Sequence, residues 1–157
     1  MMRGTSAFIL EKNDPGFTFG KKEEKMGIRA SSTRELVFQD CKIPRARLLG
    51  GREGLGFIAT MKTFDVSRPG VASQAVGIAQ GALELAVGYA HQREQFGQKI
   101  SSFQGIQWML ADMATKVEAA RALVYAAAQA VDRGEKDVGA ASAMAKLYAG
   151  DVAMEVT

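Results

Sequence analysis

The chain has 157 residues, 47% of them hydrophobic and 24% charged, a balance that suits a folded globular protein of one domain or parts of two. Its net charge of +3 comes from basic residues interleaved with acidic ones, most densely in GKKEEKMGIR (20–29), a solvated loop rather than a nucleic-acid stripe. One cysteine and one histidine exclude an internal disulfide and a His/Cys metal cluster.

From the N-terminus, AFIL (7–10) is too brief for the core of a signal peptide. SAFILEK (6–12), FTFGKK (17–22) and RELVFQDCKIP (34–44) read as three antiparallel-type strands, separated by turns such as NDPGF and closed by Pro44. Cys41 falls in the third run and reads as a buried thiol. IRASSTREL (28–36) gathers three hydroxyls and two arginines; it reads as a polar turn, or as a cluster able to hold phosphates. GLGFIA (54–59) formally matches the dinucleotide fingerprint G-x-G-x-x-A. It lacks the strand that must run into the glycines, so it reads as a loop whose glycines lie close to another segment.

Composition changes near residue 56, and the rest is helical in period. Pro69 is expected to restart or kink the first helical segment, as a first-turn residue. From there Val71, Ala75, Ile78, Ala82, Leu85 and Tyr89 form one apolar stripe. The next helix is expected to open at Ser101, with a Ser101–Gln104 capping box. Its stripe runs Phe103, Ile106, Leu110, Met113, Val117, Ala120, Val124, Ala127, Val131, the 3.5-residue repeat of nearly parallel packed helices. Gly134 stops it, and a third helix begins near Asp137 and runs to Thr157 without a cap. The longest low-charge run, 138–150, is too short to span a membrane and is broken by Lys146.

Between the first two helices lies YAHQREQFGQKISSFQ (89–104). Gly97 suits a helix C′ position and Arg93 the last turn of the preceding helix. Those local rules leave Phe96 and its flanking glutamines, Gln95 and Gln98, unexplained.

The order of these motifs, from ILEKNDPGF through SRPGVASQAVG to QFGQKISSFQGIQWMLADMATKVEAARALVY, resembles the flavin-dependent acyl-CoA dehydrogenases over nearly the whole chain; MMRGTS (1–6) matches least well. The resemblance implies an α+β fold: antiparallel strands of an incomplete middle β domain (1–55), then an incomplete up-down helical bundle (56–157), with both ends of the domain pair cut. It implies FAD as cofactor, held across a subunit boundary by Arg93, Glu94, Gln95 and Phe96 of the turn with Phe103 and Gln104. Arg93 would grip the diphosphate and Phe96 brace the turn. It implies acyl-CoA as substrate, met by Ser31 and by the segment Asp65, Val66, Ser67 and Arg68. The family's glutamate base falls outside the chain in most members, and in a minority at the position of Ser67, where a hydroxyl is no base. No catalytic residue is therefore assigned, and the isolated chain is expected to be inactive. A homotetramer, electron-transfer flavoprotein as electron acceptor, and no nucleic acid or membrane partner complete the expectation. The compartment would be the cytoplasm of a bacterium or the mitochondrial matrix of a eukaryote. A non-catalytic helical oligomerisation module and an acyl-CoA oxidase-like relative are the alternatives.

Overall fold

The computed structural model describes residues 4–157, so the first three residues of the poorly matching MMRGTS lie outside it. The chain falls into two compact units, one up to Thr60 and one from Met61 onward.

In the first unit, strands β1 (Phe17–Lys22) and β2 (Arg34–Phe38) pair antiparallel. Phe17 anchors the pair, stacked on Phe38 at 5.2 Å and edge-on to Phe19 at 5.0 Å. Gly16 makes the turn into β1: its φ is +81°, and a Cβ there would lie 2.2 Å from the Gln39 carbonyl, so no other residue fits without backbone movement. The first expected strand, over residues 6–12, is not formed. Residues 6–12 contribute a single bridge, Phe8 to Leu48, because their backbone bonds run to the irregular 47–49 segment rather than to a strand edge. Asp14, in the turn, receives the Arg47 guanidinium on both carboxylate oxygens at 2.6 Å. Cys41 is half-buried and free.

Gly54 and Gly56 do have a close neighbour. The Gly56 N–H donates to the Thr5 carbonyl at 2.9 Å, the Gly54 N–H to the Ser6 hydroxyl at 3.0 Å, and a Cβ on Gly56 would meet the Ser6 backbone at 2.7 Å.

Helix α1 (Gly56–Gln92) runs unbroken through Pro69, so the expected restart does not occur. A proline in a helix interior removes the N–H that would bond the carbonyl four residues back, here that of Asp65. The Ser142 hydroxyl, fully buried on α3 (Gly139–Val156), donates to that carbonyl at 2.6 Å. The bundle thus returns the bond that the proline withholds.

α2 (Gln104–Asp132) carries its expected stripe into the core through Val117, Ala120, Val124 and Ala127. It ends as expected at Gly134, whose φ is +65°. The Gly134 N–H donates to Val131 and the Glu135 N–H to Ala130, a Schellman motif. Its start differs from expectation: Ile100–Ser102 form a 3₁₀ turn, the helix opens at Gln104, and no capping box forms. Gln107 donates to the Ser101 carbonyl instead.

On α1 the buried face is Ala72, Val76 and Ala79, packed with the α2 stripe and with Ala145, Ala149, Val152 and Val156 of α3. The expected stripe is displaced by one residue: Val71, Ile78, Leu85 and Tyr89 are exposed, and only Ala75 and Ala82 touch the core. Alanine and valine let backbones approach closely, so the seam selects the smaller side chains of α1 and leaves its bulkier ones outside. The whole is small antiparallel strands followed by a three-helix bundle.

Candidate functional site

The turn between α1 and α2 is a miniature hairpin. β3 (Glu94–Gln95) and β4 (Gln98–Lys99) pair antiparallel, Glu94 opposite Lys99 and Gln95 opposite Gln98. The Ile100 N–H closes the ladder on the Arg93 carbonyl at 2.9 Å. The loop of two residues has positive φ at both, 53° at Phe96 and 77° at Gly97, the signature of a type I′ turn. Gly97 is therefore a hairpin-turn residue and not the helix C′ residue.

Phe96 is the anomaly. Asparagine or glycine suits its position, and a bulky residue at φ > 0 costs about 1 kcal/mol or more. Its ring meets Phe103 edge-on at 6.2 Å and is still 85% exposed. Strain and exposure together at this tip make it a candidate for a role beyond folding.

The Arg93 side chain is exposed and makes no ion pair or hydrogen bond among the described residues. A guanidinium offers five N–H donors in a planar fork that matches phosphate oxygens. The same turn carries the exposed Gln95 and Gln98, and the exposed Gln104 opens α2. By donor chemistry this set fits the diphosphate of a nucleotide cofactor.

The remaining expected site residues lie on the β1–β2 loop and on α1. Ser31 is exposed on the β1–β2 loop; its carbonyl accepts from Lys25 Nζ at 2.7 Å, and its N–H donates to Ile28 at 3.1 Å. An open groove of about 620 Å³ on that loop is lined by Lys22, Glu23, Glu24, Lys25 and Arg29. Asp65 pairs with Arg68 at 2.9 Å, and its carboxylate lies against Gly139, where a Cβ would be 3.2 Å from Oδ1. Arg68 lies 5.8 Å over the Phe64 ring. Val66 and Ser67 are exposed.

Sequence reasoning missed Ser142. Its signal was Pro69, which orphans a carbonyl at position 65 and so demands a donor from elsewhere.

No carboxylate of the described residues is buried, and several on the bundle have polar partners. Glu84 accepts from Gln80, Glu118 pairs with Arg121, and Glu155 with Lys116. No group of His, Cys, Asp and Glu able to hold a metal occurs among the described residues, and no described helix is long and apolar enough to cross a membrane.

The family model for the acyl-CoA dehydrogenase C-terminal domain matches residues 54–157. The chain belongs to the acyl-CoA dehydrogenase family. A probable acyl-CoA dehydrogenase of Mycobacterium tuberculosis, FadE25, is 55% identical over 154 residues, 98% of this chain and 39% of the relative. The acryloyl-CoA reductase (NADH) of Anaerotignum propionicum is 54% identical over 156 residues, 99% of this chain and 39% of its own length. The structure of butyryl-CoA dehydrogenase from Megasphaera elsdenii matches with a TM-score of 0.94 at 54% identity, over 98% of this chain and 40% of that one. The chain thus spans about two fifths of the length of the curated relatives it matches. Acyl-CoA dehydrogenases are FAD-dependent flavoprotein oxidoreductases.

Proposed function

We propose that this chain contributes the adenine-dinucleotide grip and part of the acyl-CoA surface of an FAD-dependent enzyme that desaturates acyl-CoA thioesters between the α- and β-carbons. The observation that carries the reading is the unpaired guanidinium of Arg93 on a rigid hairpin. A diphosphate is the ligand whose charge and oxygen geometry match it. Gln95 and Gln104 are read as polar contacts along the cofactor, and Phe96 on Phe103 as the brace that fixes the tip. Glu94 contributes through its backbone. Bound there, FAD supplies the hydride acceptor.

Substrate contacts are read at Ser31, beside a groove lined by Lys22, Lys25 and Arg29 together with Glu23 and Glu24, the cations being the groups that would meet CoA phosphates, and at the Asp65–Arg68 segment. Within that segment Asp65 and Arg68 hold each other and brace the helix, while Val66 and Ser67 present the open surface. A relative acting on acryloyl-CoA, an α,β-unsaturated thioester, supports the α,β bond as the reacting one. A general base for the α-proton needs a dry carboxylate. With every described carboxylate in contact with solvent, and Ser67 at the alternative position, these residues by themselves provide none. The isolated 157-residue chain is accordingly proposed to be inactive.

Electron-transfer flavoprotein is proposed as the electron acceptor and another copy of the protein as its partner. The exposed row Val71, Ile78, Leu85 and Tyr89 is the apolar surface such a copy would cover. The bacterial relatives favour a cytoplasmic setting.

The test is flavin titration of the full-length protein. Arg93→Ala is expected to weaken FAD binding by about 10- to 100-fold, the range for losing a charge-assisted, fork-shaped contact. Unchanged affinity would overturn the assignment of the hairpin.

A further inference from the structure

Glu94 is the one hairpin residue whose charge opposes an anion, and it sits next to Arg93 in the chain. Its carboxylate is not free. Lys99 faces it directly across the ladder, with Nζ 2.6 Å from Oε1. The same ammonium donates to the Gln92 carbonyl at 3.2 Å, one of the carbonyls that the end of α1 leaves without a helical partner. Two acceptors from opposite sides of Arg93 thus fix the position of one cation.

Both partners are about half exposed, and a pair of that kind adds little to stability. Its effect on a neighbouring anion is larger in proportion. Counted over residues 93–99, Arg93 and Lys99 against Glu94 give +1; without Lys99 the same stretch is neutral.

We propose that Lys99 is a positioning residue for cofactor binding: by pairing with Glu94 it masks the only negative charge of the hairpin, so that an incoming diphosphate meets a net cation. This rests on the reading of Arg93 above. It also explains why a glutamate is tolerated beside a diphosphate. The acid is half of a neutral cross-strand pair that ties the hairpin to the last turn of α1.

The experiment is a fluorescence titration of FAD into the apo form of the full-length protein, at low and at high salt, with four variants. Net hairpin charge is +1 in the parent, 0 in Lys99→Gln, +2 in Glu94→Gln and +1 in the double variant. At low salt Lys99→Gln is expected to raise the Kd about three- to tenfold, Glu94→Gln to lower it by a similar factor, and the double variant to return to the parent value. These differences should shrink at high salt, where exposed charges are screened. Two results overturn the proposal: an unchanged Kd in Lys99→Gln, or a double variant as weak as Lys99→Gln alone. The second would mean that the pair acts by folding the hairpin and not through charge. Arg93→Ala, the fourth variant, separates the two levels. If it binds FAD normally, the hairpin reading falls with the proposal; if it binds weakly while Lys99→Gln does not, only the role of Lys99 falls.

Discussion

Helices α1 and α2 contribute to the same core and teach opposite lessons about reading one. On α2 one apolar row is dominant, and from Val117 to Ala127 the row that the spacing marks is the row that is buried, while Trp108, Met109 and Tyr125 lie off it and stay exposed. On α1 two apolar rows lie side by side. The one with larger side chains, Val71, Ile78, Leu85 and Tyr89, faces out, while the modest Ala72, Val76 and Ala79 fill the seam. Periodicity locates a face where a helix has one dominant apolar row. Where it has two, the size of the side chain against the closeness of the backbones decides which goes in.

The comparison breaks most visibly if the seam is made bulky. Ala79→Leu, on the buried row of α1, is expected to cost about 3 kcal/mol, the upper end of ordinary overpacking, read from urea unfolding; a neutral result would mean that the helices are not tightly apposed there. Next comes the break that only α1 contains. Ser142→Ala leaves the part-buried Asp65 carbonyl without its donor and should cost about 2 kcal/mol. Adding Pro69→Ala restores a backbone N–H to that carbonyl, so the double variant should be more stable than Ser142→Ala alone. Additive losses would show that the two residues are not coupled. On the outer row, Ile78→Glu should change the unfolding free energy of the isolated chain by less than about 0.5 kcal/mol. It should nevertheless reduce self-association, followed by sedimentation.

The smallest effect distinguishes the α2–α3 contact. Glu155 accepts from Lys116 and holds its pKa above the ordinary value of 10.5. A raised folded-state pKa stabilises fully below the unfolded value and less as pH climbs past 10.5 through the folded one. A slight loss of stability on that alkaline side should therefore disappear in Lys116→Met, measured as the pH dependence of the unfolding midpoint.

How much of this was legible varies with the kind of signal. The two-unit order, the α2 stripe and the Gly134 stop follow from local chemistry that tertiary packing did not contradict. The hairpin was legible only as an oddity: Phe96 fitted no capping rule, but a phenylalanine in a type I′ turn violates the very preference that would announce one. The continuity of α1 through Pro69 depends on a serine in a distant helix, which no window of local sequence contains. For the site, the donor types at Arg93, Gln95 and Gln104 could be named from the sequence. The Glu94–Lys99 pairing could not, since it needs the strand register.

The bond from Ser142 to the Asp65 carbonyl joins residues 77 positions apart. While the polypeptide is being synthesised, the stretch around Pro69 leaves the ribosome long before its donor does, with one rung of its ladder missing. Until then water must serve that carbonyl, and burial of the helix there waits for α3. The proline thus links the completion of the first helix to the arrival of the third, and a chain arrested between them should hold its nascent α1 only loosely.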